Sequence, residues 1–172
     1  MKILESLKSL VKGDGPEPAE DEVISYPDPR LEAPNAEVSF TETTREERVE
    51  LLHRLNRALN SREWGSRLGM AAPQIGLNVR VCIVAGTPMF NPVFVAPKHG
   101  AEQQVIEACY SLPKNELYEV PRAKYGWVKY YDVDGNFRDE KVHGIRAIVT
   151  QHEVSHLEGK CCNKLGVCVK KS

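Results

Sequence analysis

Residues 144–159 read GIRAIVTQHEVSHLEG and combine a helical pattern with metal-binding side chains. The positions i, i+3, i+4, i+7 and i+11, which share one face of an α-helix, are occupied by Ile145, Ile148, Val149, His152 and His156. Gly159 follows as a typical C-terminal stop. The stretch therefore predicts a single helix whose apolar, inward-facing stripe continues into both histidines.

The histidine pair has the geometry of a hydrolytic metal site. Residues four apart on a helix have Cβ atoms about 5 to 6 Å apart on one face, so the rings of His152 and His156 can reach one ion. Glu153 lies about 100° round the helix, where a carboxylate can act as general base for water without binding the metal. The H-E-x-x-H pattern predicts a metal-dependent hydrolase.

A catalytic metal usually has a third protein ligand, and the sequence offers two cysteines for it. Cys162 would extend HEVSHLEGKCC toward the metzincin pattern and make the protein a small metalloprotease. Cys109, at the end of a predicted strand, would bind from the middle of the chain. The residues also allow a non-catalytic module, in which a structural zinc site is closed by Cys161, Cys162 and Cys168.

The rest of the chain predicts one α+β domain with a mostly antiparallel sheet. A helix with a cap at Thr43 or Thr44 is expected over 43–62. The pair Asp134-Gly135 predicts a hairpin. Alternating or β-branched residues predict strands over 79–84, 89–95, 103–108, 125–132 and 136–142.

Composition limits the classes of function. The 172 residues carry 23 Lys and Arg against 24 Asp and Glu, without a basic stripe, so nucleic acid is not an expected partner. The five cysteines are unevenly spaced and there is no long apolar run, which favours a reduced, cytoplasmic protein away from membranes. Residues 1–22 are expected to form an amphipathic helix and an acidic linker, and 23–172 the functional domain.

Three ordered motifs resemble the signatures of the peptide deformylase family. They are LGMAAPQIG at 68–76, EACYSLP at 107–113 and QHEVSHLEG at 151–159. The resemblance extends over about 23–164. It implies an α+β fold with mostly antiparallel sheets around a central metal-binding helix, and it selects Cys109 over Cys162.

The resemblance implies a role for each matched residue. Cys109, His152 and His156 would bind the metal, and Glu153 would act as acid and base. Gln74 and the backbone N–H of Tyr110 would donate to the developing oxyanion. The positions that match the family's methionine pocket are Leu68, Gly69, Val105, Ile145, Ile148 and Val149.

The family's reaction removes the formyl group from the N-terminal formylmethionine of new polypeptides and releases formate. The implied cofactor is Fe(2+), with Zn(2+), Ni(2+) or Co(2+) as substitutes. The implied partners are N-formylmethionyl nascent peptides. Ribosome association is expected to be weak because the chain stops soon after the metal helix, and a monomer is expected.

The sequence departs from the family motifs at three positions. Arg67 and Ala108 replace glycines, and Ser155 replaces an aspartate. Arg67 is expected at the cleft rim, where its charge would alter the preference for residues after methionine. Glu107 and Arg122 are expected to pair, so that exchanging both charges restores what either single reversal loses.

Overall fold

The computed structural model describes residues 22–63 and 65–170, so most of the predicted N-terminal helix and linker lies outside them. The helices are α1 (Arg45–Asn60), α2 (Gly144–Leu157) and α3 (Cys162–Leu165), with 3-10 turns at Pro29–Leu31 and Ala72–Ile75. The strands are β1 (Gly69–Ala71), β2 (Val81–Val84), β3 (Thr87–Val95), β4 (Glu102–Glu107), β5 (Leu117–Ala123), β6 (Tyr125–Tyr131), β7 (Phe137–His143) and β8 (Val167–Lys170).

The strands form two antiparallel sheets, which confirms the predicted α+β class. The five-stranded sheet has the order β1-β2-β3-β6-β7, and the three-stranded sheet has the order β4-β5-β8. Helix α2 packs mainly on β1 and β2 of the larger sheet and also contacts β5 of the smaller one. It therefore joins the two sheets and brings residues from both to one place.

Helix α1 begins where the capping pattern predicts. Thr44 Oγ1 accepts a hydrogen bond from the Glu47 backbone N–H at 3.2 Å, and Glu47 Oε2 accepts one from the Thr44 N–H at 2.8 Å. This reciprocal pair satisfies two backbone donors that a helix N-terminus otherwise leaves free. The buried face of α1 then packs Leu51 and Leu55 into the core beside β1 and β2.

The predicted hairpin is present between β6 and β7. Gly135 has a φ of +85°, a conformation that glycine adopts without strain. Asp132 Oδ1 accepts hydrogen bonds from the backbone N–H groups of Asp134 and Asn136 at 3.0 and 2.9 Å. The turn fixes the register in which Tyr131 faces Phe137.

Helix α2 corrects one detail of the predicted stripe. Its core-facing residues include Ala147, Val154 and Leu157, whereas Ile145 is 63% exposed and Ile148 is only partly buried. The apolar stripe does share one face of the helix, but that face borders a cavity instead of packed core. Within 22–63 and 65–170, no helix is both long and apolar enough to cross a membrane.

Candidate active site

The site forms where α2 passes the end of β4 and the 3-10 turn at Ala72–Ile75. Cys109 follows β4 by two residues, and Gln74 lies in the turn. The His152 and His156 rings have centroids 5.0 Å apart. The three motifs, which are distant in the sequence, therefore meet at one location.

Cys109 and His156 are close enough to share an ion. Cys109 Sγ lies 3.3 Å from His156 Nε2, and both side chains are buried. Sulfur and nitrogen ligands on one tetrahedral zinc ion, with bonds of about 2.3 and 2.1 Å, would lie about 3.6 Å apart. The observed spacing, together with the soft N and S donors, fits a transition-metal ion.

Glu107 orients the His152 ring. Glu107 Oε2 lies 2.9 Å from His152 Nδ1, and the carboxylate accepts two hydrogen bonds from Arg122 at 2.8 and 2.9 Å. Burial alone would raise the pKa of Glu107, but the bonds from Arg122 and His152 lower it to about 2. An ionised Glu107 accepts a hydrogen bond from the Nδ1–H group of His152, and this tautomer leaves the lone pair of Nε2 available for a metal.

The Glu107–Arg122 pair was predicted, but its connection to Ser155 was not. Arg122 Nη1 donates to Ser155 Oγ at 3.0 Å, and Ser155 in turn donates to the Gln151 carbonyl at 2.6 Å. Ser155 therefore still contacts Arg122 in place of the aspartate that the family motif carries, without adding a second negative charge.

Glu153 is the buried acid of the site. The Glu153 side chain is buried, and this burial is the largest cause of the rise in its pKa to about 7. A Cβ atom at Gly69 would overlap the Glu153 carboxylate. Gly69, proposed from the sequence as a substrate-binding residue, thus also provides the space that Glu153 occupies.

Gln74 and Tyr110 border the same space. Gln74 Oε1 accepts a hydrogen bond from the Ala71 N–H at 2.9 Å, which directs Nε2 toward Cys109 Sγ at 3.7 Å. The Tyr110 hydroxyl accepts a hydrogen bond from the Arg67 N–H at 3.0 Å. This bond joins the segment after Cys109 to the loop before β1.

An apolar cavity of about 220 Å³ opens beside these groups. All the residues matched to the family's methionine pocket line it: Leu68, Gly69, Val105, Ile145, Ile148 and Val149. Cys109, His152 and Glu153 also line the cavity, which places the reactive groups on its wall. The sequence did not indicate Ile106 as a pocket residue, because the alternation of side chains along β4 places it on the opposite face from Val105. It nevertheless borders the cavity, since it lies next to the end of the strand.

Arg67 is not among the residues that line the cavity, although its neighbours Ser66 and Leu68 are. Its guanidinium donates to the Arg62 carbonyl through Nε at 2.9 Å and Nη2 at 2.6 Å, and its φ is +52°. The side chain thus closes the loop that follows α1. An effect of its charge on substrate preference stays a prediction.

The other cysteines near the histidines occupy different positions. Cys161 Sγ lies 3.6 Å from His156 Nδ1, and the ligand atoms of Cys109, His156 and Cys161 lie within 4.8 Å of one another. This group contains two of the predicted ligands, Cys109 and His156, but it does not include His152. Cys162 is buried in the same apolar cluster as Cys109 and Cys161, and its thiol is hydrogen-bonded to that of Cys109. Cys168 Sγ contacts the Lys170 carbonyl at 3.3 Å. Cys109 is therefore the cysteine that contacts the Nε2 side of His156.

Contacts among the buried thiols shift the pKa values of Cys109 and Cys161 in opposite directions. Hydrogen bonds with Cys161 and Cys162, together with burial, raise the pKa of Cys109, whereas the hydrogen bond with Cys109 lowers the pKa of Cys161 to about 5. Only a thiolate binds a metal, and a cation beside a thiol stabilises its thiolate.

Proteins of one known family match most of the chain. A family model for polypeptide deformylase matches residues 20–165. The peptide deformylase of Zymomonas mobilis is 30% identical over 149 residues, which cover 80% of this chain and 80% of that protein. A peptide deformylase-like protein of Brucella melitensis is 30% identical over 143 residues, covering 80% of this chain and 82% of that protein.

Solved structures show the same fold. The Met-Ala-Ser-bound class I type b peptide deformylase from Acinetobacter baumannii has a TM-score of 0.75 at 26% identity, covering 83% of this chain and 96% of that one. A probable peptide deformylase from Synechococcus phage S-SSM7 has a TM-score of 0.74 at 29% identity, covering 84% and 98%.

The α+β fold, the H-E-x-x-H sequence of α2 and the group formed by Cys109, His156 and Cys161 are those of a metal-dependent hydrolase. More particularly, the chain belongs to the polypeptide deformylase family. The family, fold class and enzyme class predicted from the three motifs are confirmed. The individual site residues stay predictions.

Proposed function

We propose that this chain hydrolyses the formyl amide of N-formylmethionyl peptides, using Cys109, His152 and His156 as metal ligands. The observation that carries the proposal is the 3.3 Å approach of Cys109 Sγ to His156 Nε2 beside an apolar cavity. These residues are 47 positions apart, so only the fold brings them together.

The three ligands would hold one divalent transition metal. When bound, the ion supplies Lewis acidity, which lowers the pKa of water at the site. Fe(2+) is the proposed native ion, with Zn(2+), Ni(2+) or Co(2+) as substitutes, because a thiol and two imidazoles suit all four. If iron is bound, activity should fall on exposure to air as Cys109 oxidises, and anaerobic preparation should prevent the loss.

Glu153 is the proposed acid and base. It would accept a proton from the attacking water and then protonate the departing nitrogen. A carboxyl group with a pKa of about 7 is suited to both transfers near neutral pH. Burial against Gly69 holds this carboxylate in place.

Gln74 Nε2 and the backbone N–H of Tyr110 are the proposed oxyanion donors. Fixed donors of this kind stabilise the transition state by about 3 to 4 kcal/mol each. The hydrogen bond from the Ala71 N–H to Gln74 Oε1 fixes the amide orientation that such a donor requires.

The apolar cavity would accept the methionine side chain. The A. baumannii relative was solved with Met-Ala-Ser bound, a peptide of the kind that deformylation releases. N-formylmethionyl nascent peptides are therefore the proposed substrates here. A transient association with the ribosome and a cytoplasmic location are proposed with them.

Formate release from formyl-Met-Ala-Ser tests the proposal directly. Wild-type protein, prepared anaerobically, should release formate and bind one metal ion per chain. Cys109→Ala should lose both properties, whereas Cys162→Ala should retain them. Stoichiometric metal in Cys109→Ala but not in Cys162→Ala would reject this ligand set and favour the metalloprotease arrangement.

A further inference from the structure

His156 contacts two sulfur atoms. Its Nε2 faces Cys109 at 3.3 Å, and its Nδ1 faces Cys161 Sγ at 3.6 Å. His156 is 1% exposed and Cys161 is 2% exposed, so water is largely excluded from this contact. The two nitrogens of one ring thus have separate sulfur partners.

This arrangement differs from that of the other histidine. His152 Nδ1 contacts the Glu107 carboxylate at 2.9 Å. Metal-binding histidines almost always donate the second ring N–H to a carboxylate, a carbonyl or water, and this bond fixes the tautomer. Sulfur is a weaker acceptor, but at His156 it occupies the position of that partner.

The turn after α2 holds Cys161 against the ring. Gly159 has a φ of +71°, and a Cβ atom there would lie 2.9 Å from the Glu32 carbonyl oxygen. The Lys160 N–H donates back to the Ser155 carbonyl at 2.9 Å, and the Cys161 carbonyl accepts from the Lys164 N–H at 3.0 Å. The chain reversal before Cys161 and the start of α3 after it therefore fix the position of Cys161.

We propose that Cys161 is a positioning residue of the metal centre: its sulfur accepts a hydrogen bond from the Nδ1–H group of His156 and leaves Nε2 available for the ion. The inference rests on the proposed ligand set. Cys161 Sγ lies 3.6 Å from Nδ1, the ring nitrogen that would face away from the ion, although the ligand atoms of Cys109, His156 and Cys161 all lie within 4.8 Å of one another. This sulfur is assigned to the ring, and a sulfur that binds the ion directly is the alternative that spectroscopy of the cobalt form distinguishes.

Cobalt binding by the full-length protein tests this assignment. Co(2+) affinity is measured by competition with a chelator under anaerobic conditions, and sulfur-to-cobalt charge-transfer absorption reports the thiolate ligands. Cys161→Ala should weaken Co(2+) binding by about 10- to 100-fold, the usual effect of removing such a partner. The charge-transfer intensity per bound ion should stay unchanged. Cys161→Ser, which keeps an acceptor, should bind more tightly than Cys161→Ala.

Cys82→Ala is the matched control, because it removes a fully buried thiol from a different core cluster. It should leave Co(2+) affinity unchanged. Unaltered affinity in Cys161→Ala would overturn the proposal, and so would a reduced charge-transfer intensity per ion, which would make Cys161 a ligand. Should Cys161→Ala fail to fold, Cys161→Val fills the space without an acceptor, and the same two results decide.

The proposed function is tested separately by Cys109→Ala in the same titration. Loss of the charge-transfer absorption in that variant supports the ligand set, whatever Cys161 does. Retention of the absorption would reject the ligand set itself.

Discussion

The carboxylate of Glu153 is 3% exposed, and among the described residues none donates a hydrogen bond to its Oε2 atom. We predict that Glu153→Gln lowers kcat by about 10²- to 10⁴-fold, the usual contribution of a positioned acid or base. The amide has nearly the same shape, so the metal content should not change. Formate release and metal analysis on one preparation measure both, and a fully active variant would exclude Glu153 as the base.

Gly69 offers a second test of the same group. A methyl group at this position would overlap the Glu153 carboxylate, so Gly69→Ala should displace the base. A displacement near 1 Å can cost about 10²-fold in rate. Gly126→Ala is the control, since its methyl would meet the Phe94 ring in another strand and disturb stability alone. Equal kcat values for the two variants would contradict the explanation.

Glu107 shows why a charge exchange should fail. The sequence predicts that reversing Glu107 and Arg122 together restores function, but Glu107 also accepts a hydrogen bond from the His152 Nδ1–H group. An arginine at 107 cannot accept a hydrogen bond. We therefore predict that Glu107→Arg with Arg122→Glu still binds metal at least about 10-fold more weakly than wild type. Recovery of wild-type affinity would show that the ion pair matters more than the histidine contact.

At the scale of elements, the β6–β7 turn depends on one carboxylate. Burial would raise the pKa of Asp132, but hydrogen bonds from Arg138 and Asn136 lower it to about 2. A lowered folded-state pKa stabilises the protein above the unfolded value near 3.9, and the gain is lost as pH falls toward 2. The side chain is partly exposed, so solvent screening limits the effect to about 1 kcal/mol.

We predict that Asp132→Asn lowers the free energy of unfolding at pH 7, and that the difference from wild type shrinks as pH falls from 5 to 3. Urea unfolding at each pH measures this. Asp139→Asn is the control, because Asp139 forms an exposed ion pair with Lys129 at 3.5 Å in the same hairpin. A constant difference for Asp132→Asn across this range would show that the charge is not responsible.

The helices and strands differ in how clearly the sequence predicts them. Helix α1 and the hairpin have strong local signals, a capping box and Asp134-Gly135, and both were predicted. Strand β1 has three residues, and β5 contains Pro121, so neither has a clear alternating pattern. These strands form through long-range pairing, which a local pattern does not encode.

The candidate site likewise has features that the sequence predicts and features that it does not. The spacing in α2 correctly places both histidines on one face, but periodicity cannot show whether that face meets core or cavity. Ile145 is therefore exposed at the cavity although its spacing is that of a core residue. The contact of Cys161 with His156 Nδ1 was missed because it depends on the chain reversal at Gly159.

At the scale of the whole molecule, metal binding should stabilise the fold. The proposed ligands come from the β4 end and α2, so the complete set exists only in the folded chain. A ligand specific to the folded state adds about 2.7 kcal/mol of stability at 100 times its Kd. In a chain of this size, each kcal/mol raises Tm by about 2 to 4 °C.

We therefore predict that removing the metal with a chelator lowers Tm by roughly 5 to 11 °C relative to protein with the ion at about 100 times its Kd. The shift should increase with the logarithm of the ion concentration. Cys109→Ala should show no metal-dependent shift, whereas Cys162→Ala, which removes a buried thiol beside the site, should keep it even if its Tm is lower throughout. Differential scanning calorimetry at several Co(2+) concentrations measures these shifts. A persistent shift in Cys109→Ala would mean that the stabilising ion binds elsewhere, and the link between the cavity and the metal would be lost.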